Sequence, residues 1–158
     1  MQSISRKRAL VTRALYHHEA QIMERIPGMV REYSQKQLQK QLDLLWAYSK
    51  YYTRRPKPIL RFGPGARHGR YHLSYTQDIE HGQVIEMAPG GRNLYVLVHE
   101  LSHALGPSEH GVRFAQVYHD LLNHKTFKKM MQTPAGKQFL EYLRVEHPRH
   151  IRRIYRNR

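Results

Sequence analysis

The 158-residue chain contains no cysteine. Disulfides are therefore excluded, and so is any thiolate metal site. A transition-metal site in this protein has to be built from histidine and carboxylate. Long apolar runs are also missing: no stretch approaches the roughly 20 apolar residues that a membrane-spanning helix needs. The opening MQSISRKRALVTRALYHH has basic residues without the apolar run of a secretory signal. These absences lead us to expect a cytoplasmic protein with no membrane partner. Acidic residues are scarce, with 12 Asp and Glu against 27 Lys and Arg and a formal net charge of +15. Net charge bears on partners rather than on fold.

The cations are clustered. Between Leu44 and Gln77 there is no acidic residue, yet Lys50, Arg54, Arg55, Lys57, Arg61, Arg67 and Arg70 lie in that interval. The C-terminal RVEHPRHIRRIYRNR adds Arg144, Arg149, Arg152, Arg153, Arg156 and Arg158. Such clusters suit a polyanion, and nucleic acid is the leading candidate. Arg54, Arg55, Lys57, Arg152, Arg153 and Arg156 are the candidate contacts. Tyr51 and Tyr52, interleaved with cations, suit base stacking, and equally suit a helix end whose rings turn inward.

What is present is a patterned, foldable chain. Hydrophobic residues make up 40% of it, enough for a buried core. Leu10, Leu15, Ile22 and Ile26 recur at helical spacing and predict a helix over 8–26, ended by Pro27-Gly28. A second helix is expected over 34–52, with Ser34 as its cap and Leu38, Leu42, Leu45 and Trp46 as its stripe. RRPKP breaks it. The middle of the chain reads as about three short strands, at 59–62, 70–75 and 82–88, followed by a turn at PGGRN. Leu94, Leu97, Val98, Leu101 and Leu105 then form one helical stripe, stopped by Gly106-Pro107 with the glycine as a left-handed cap. A further helix is expected over 111–123, with Phe114, Val117, Tyr118 and Leu121 on one face, and another from about 133 into the basic tail. Helices, then strands, then helices predict an α+β fold. The expected division is a domain over 1–135 followed by a C-terminal helix and basic tail over 136–158.

The densest chemistry lies in HELSHALGPSEHGVRF, residues 99–114. His99 and His103 are four apart on the predicted helix, so they share a face. Two imidazoles so placed can bind one metal ion, and Zn2+ is the ion that histidine donors favour here. Glu100 is turned away from the ligands but stays beside them, where a general base for an activated water is needed. A catalytic zinc usually takes three protein ligands. His110 is the preferred third, because the Gly106-Pro107 turn lets the chain return and imidazole is the commoner donor. Glu109 competes for that place.

HELSHAL followed by HGVRF resembles the SprT-like and Spartan-like zincins, whose motif is HExxH followed by a histidine in an HGxxF segment. The resemblance covers about residues 82–123 and looks closest to small bacterial and phage-encoded metallohydrolases. It implies a zincin-like fold, with a small sheet against the HExxH helix. It also implies zinc ligation by His99, His103 and His110, catalysis by Glu100, and a packing role for Gly111 and Phe114. In such zincins the strand before the active helix, here 84–87, offers its edge to an extended peptide; otherwise it simply completes the sheet. The cysteine-based module that often follows the catalytic core in this family has no counterpart here.

His17, His18, His68, His72, His81, His119, His124, His147 and His150 read as surface or hydrogen-bonded histidines, His119 being the one near enough in sequence to orient a ligand. Arg92, Tyr95 and Tyr118 are possible donors to a developing oxyanion, with Tyr95 better suited to the core. Three functions compete: a zinc metallopeptidase acting near nucleic acid, a nucleic-acid-binding or virion-associated protein with a structural or vestigial zinc, and a metal-dependent hydrolase of some other bond.

Overall fold

The computed structural model describes residues 2–65, 68–74, 82–107 and 109–156. Arg67, Tyr75, His81 and Arg158 lie outside the described residues, as does the side chain of His72. The architecture is mixed α and β, and the chain forms two compact units, one of residues 28–106 and one of residues 1–27 with 107–158.

The first helix of the 28–106 unit is α2 (Gln35–Ser49). Ser34 caps it in a full capping box: the Ser34 hydroxyl accepts from the Gln37 N–H, and the Gln37 side chain accepts from the Ser34 N–H. Leu38, Leu42 and Leu45 are fully buried, as their spacing predicted, and the last expected turn tightens to a 3-10 segment at Lys50–Tyr52. Three strands follow: β1 (Ile59–Phe62), β2 (Gly69–Ser74) and β3 (Gly82–Met87). Their order is β1-β3-β2, with β1 parallel and β2 antiparallel to β3.

That order corrects the expectation for the strand at 84–87. β3 is the central strand, bonded on both sides, and so has no edge to offer; among the described residues the outer strands are β1 and β2. The register also disposes of some of the positive charge. Arg61 and Arg70 flank Glu86 from the two neighbouring strands, and both guanidinium groups reach its carboxylate, at 2.8 and 3.8 Å. Opposite charges across a ladder stabilise the pairing.

After β3, Ala88 to Gly91 close a type II turn, with Pro89 presetting the first corner and Gly90 at φ +86°, where other residues would be strained. Gly91 leaves no room for a side chain, because a Cβ would meet the carbonyl of His68. Asn93 then caps α3 (Leu94–Leu105) by accepting from the Val96 N–H at 2.9 Å. α3 packs on α2, β2 and β3, and every residue of it except Tyr95 is buried. It does not end in a left-handed glycine: Gly106 is extended, at φ −139° and ψ −148°, so Pro107 alone makes the stop.

The other unit is helical. α1 (Ile4–Met23) begins earlier than its apolar residues indicate, because Ser3 caps it by accepting from the Arg6 N–H. Its buried face is Val11, Leu15, Glu19 and Ile22, an apolar stripe with a carboxylate in the middle. α4 (Val112–Leu122) buries Phe114, Val117, Tyr118 and Leu121, the predicted face. The short α5 (Lys128–Met131) leads to α6 (Pro134–Glu141), capped by Thr133. A π turn over Tyr142–Glu146 joins α6 to α7 (His147–Arg156). Pro148 explains the π turn: lacking an N–H, and crowding the carbonyl four residues back, it forces the helix to widen. α1 packs on both α6 and α7. The two compact units meet in the chain after residues 27 and 106, and the tail shares its core with the first helix. Among the described residues, no helix is long and apolar enough to cross a membrane.

Candidate metal centre

α3 presents His99 and His103 one turn apart, with ring centroids 5.2 Å from each other. The helix is apolar almost throughout, so the two imidazoles and the intervening Glu100 are carried inside, at 5%, 7% and 9% exposure. One ring nitrogen of each of His99, His103 and His110 lies within 4.8 Å of the others. Two nitrogens bound at about 2.0–2.1 Å to one ion are themselves about 3–4 Å apart, a spacing that falls inside this limit. The three histidines could thus hold a metal ion, and neutral imidazoles as donors suit a first-row transition metal.

Glu109 is placed differently. Its carboxylate pairs with Arg8 at 3.0 Å, and both side chains are about half exposed. Phe114, four residues after His110, sets its ring edge against the His110 imidazole at 4.9 Å, which gives the HGxxF spacing a physical basis. No comparable reason attaches to Gly111, where an added Cβ would meet nothing within 4 Å.

Glu100 faces β2. A methyl group at Gly69 would come within 2.4 Å of Val96 Cγ1 and 3.4 Å of Glu100 Cγ, so this strand approaches the helix closely only because a glycine starts it. Two residues on, Tyr71 lays its ring over His103, with centroids 6.4 Å apart and planes 19° from parallel. The Tyr71 hydroxyl donates to Gln83 at 2.6 Å and accepts from Arg55 at 3.0 Å, and buried Gln83 donates to the Pro56 carbonyl. Neither Gly69 nor Tyr71 was expected at the site. In the sequence Gly69 lies just before the predicted strand at 70–75, which leaves no signal for either residue.

His110 is held by residues far away in sequence. Its Nδ1 is 3.0 Å from the Thr12 hydroxyl, and Tyr16 meets its ring edge-on at 5.2 Å. Its backbone carbonyl accepts from His147 Nε2 at 2.8 Å. His147 Nδ1 in turn lies 3.1 Å from the Tyr142 hydroxyl, and His18 stacks on Tyr142 at 4.1 Å. Burial holds His147 below the usual histidine range, with the bond to the His110 carbonyl acting in the opposite direction. Burial, with the Glu19 and Glu146 charges, keeps the Tyr142 phenol protonated.

Two of the three expected oxyanion donors are engaged elsewhere. Tyr118 is fully buried and donates to Glu19 at 2.8 Å. The Arg92 guanidinium lies 4.2 Å over the Phe62 ring. Tyr95 is half buried rather than in the core, one turn before His99 on the same helix face. His119 contacts Asn123 at 3.2 Å.

The cationic residues separate into two kinds. Lys57 pairs with Asp43 at 2.8 Å, and Arg55 is tied to Tyr71. Arg54 is exposed, beside a Tyr51–Tyr52 stack whose outer ring, Tyr51, is 71% exposed. On α7, Arg149, Arg152, Arg153 and Arg156 are all exposed. Comparison of the chain with protein-family profiles, with curated proteins and with solved structures returns no match.

Proposed function

We propose that the protein is a zinc-dependent metallopeptidase of SprT-like type, with a zincin-like arrangement of α3 against the sheet. The observation that carries this reading is the convergence of His99, His103 and His110 with buried Glu100 beside them. His99, His103 and His110 would hold the zinc ion, which would supply Lewis acidity to a water and to a carbonyl. Glu100 accepts the proton of the attacking water and delivers it to the leaving amide nitrogen. The burial of Glu100 keeps other water away from its carboxylate. Tyr71 keeps the His103 ring in place, and Gly69 gives Glu100 its room. An extended peptide adds to the outer edge of β2, the strand that borders both residues.

The test is direct. Glu100→Gln should retain zinc and lose peptide cleavage, by a factor of about 10²–10⁴ if the carboxylate is the general base. His103→Ala should lose both zinc and cleavage. A Glu100→Gln variant that cleaves like the parent overturns the mechanism.

A second reading is favoured by one observation: Arg149, Arg152, Arg153 and Arg156 are exposed on α7 and have no carboxylate partner among the described residues. On this reading the protein binds nucleic acid in the cytoplasm, either as its main role with a structural metal, or to bring the peptidase to its substrates. Duplex binding would weaken steeply with salt, because cations on the protein release condensed counterions. Replacing Arg152, Arg153 and Arg156 by alanine should flatten that dependence; an unchanged salt slope excludes α7 as the contact.

A further inference from the structure

Building on the metal-site reading, we infer that Thr12 and His147 are positioning residues for His110, one orienting its ring and the other pinning its backbone. The argument starts from donor and acceptor chemistry. A backbone carbonyl only accepts, so the 2.8 Å contact between the His110 carbonyl and His147 Nε2 requires the proton to be on Nε2. A neutral His147 then has a lone pair on Nδ1, and the Tyr142 hydroxyl, 3.1 Å away, donates to it. The tautomer of His147 is therefore set from both sides, and His147 is fully buried. This fixes the backbone at the residue that enters α4.

The ring is fixed separately. His110 Nδ1 lies 3.0 Å from the Thr12 hydroxyl. When Nε2 serves as the ligand, Nδ1 must carry the proton, and Thr12 is the acceptor it meets. A ligating histidine usually donates its second N–H in this way, which settles both tautomer and ring angle. Tyr16 and Phe114 meet the same ring edge-on, at 5.2 and 4.9 Å, and limit its swing. His147 owes its position to the π turn. Its N–H bonds to the Tyr142 carbonyl, five residues back, which offsets its side chain from where an unbroken α-helix would put it. Helices from both ends of the chain thus act on one ligand.

The experiment measures Zn2+ dissociation constants by chelator competition, cobalt(II) absorption spectra, and the melting temperature of the metal-free protein. It uses the full chain as parent, Thr12→Val, Thr12→Ser, His147→Leu and His147→Gln. Thr12→Val keeps the shape and loses the acceptor; it should weaken zinc binding about 10-fold or more, shift the cobalt spectrum, and leave metal-free melting nearly unchanged. Thr12→Ser restores the hydroxyl and should bind nearly as the parent does. His147→Leu should weaken zinc binding as well, and His147→Gln, which keeps a donor at the Nε2 position, should recover most of the loss. If Thr12→Val binds zinc as tightly as the parent with the same cobalt spectrum, the positioning role of Thr12 is overturned while the metal site stands. If His147→Leu lowers melting but not affinity, His147 is only structural. If the parent binds no zinc, or His103→Ala binds as the parent does, the metal-site reading fails and this inference fails with it.

Discussion

Tyr71 and His103 lie ring over ring, 6.4 Å apart and within 19° of parallel, though the sequence separates them by 32 positions and places one on a strand and the other on a helix. Tyr71 also joins the exposed Arg55 to the buried Gln83. Its two functions can be separated. Tyr71→Phe keeps the ring over His103 but takes a donor from buried Gln83, which should cost about 1–3 kcal/mol of stability with zinc affinity retained. Tyr71→Leu should lower both. Chemical denaturation and zinc titration of the two variants check this.

Gly69 is the tightest point between sheet and helix. An alanine there would place its methyl 2.4 Å from Val96 Cγ1. Valine is stiff at χ1, so the helix has to move rather than the side chain. We expect Gly69→Ala to cost about 1–3 kcal/mol, the usual effect of overpacking. If the protein is the proposed zinc peptidase, cleavage should fall further than zinc affinity, because Glu100 is the neighbouring group that shifts. Equal losses in both would show that the whole helix is displaced.

Glu19 is a carboxylate at 1% exposure on the buried face of α1, and Tyr118 donates to it at 2.8 Å. Removing that donor leaves a buried polar group short of a partner, a costlier change than removing both groups. Tyr118→Phe should therefore destabilise by about 1–3 kcal/mol. Adding Glu19→Gln should recover part of that loss. A double-mutant cycle on unfolding free energies gives the coupling.

The helical unit should be acid-sensitive. His124 Nδ1 accepts the Thr126 N–H at 3.2 Å, which a protonated ring cannot do. Burial, aided by the Lys125 charge, lowers the His124 pKa; burial, aided by Arg144, lowers that of His119. A folded-state pKa below the unfolded value means that the unfolded chain binds the proton more readily. Stability is then intact above about pH 6.5 and is lost as pH falls through the depressed folded values. His124→Asn keeps a capping acceptor without titrating, so its melting temperature should fall less than the parent's between pH 7 and pH 5. Parallel curves would remove His124 from the account.

Much of the fold is written locally. The spacing of Leu38, Leu42 and Leu45, the Ser34 cap, the ILRF and GQVIEM strands, the PGGRN turn and the apolar stripe from Leu94 to Leu105 all agree with the structure, because each depends on residues within a turn or a strand length. The same holds for the HExxH pair, which needs only a helix. The misreadings arose where a distant element decides. The strand at 84–87 reads as an edge until β1 and β2 are seen on both sides of it. Arg61 and Arg70 read as free charge until the register sets Glu86 between them.

His110 sits at this divide. The sequence by itself determined that three imidazoles and a carboxylate fall within twelve residues, since helical period and a Gly-Pro stop are properties of neighbouring residues. Only the tertiary structure decided what holds the third imidazole: Thr12 is 98 positions away and His147 is 37. A hydrogen bond is selected by distance and direction in space, and local periodicity does not encode either between helices at opposite ends of a chain.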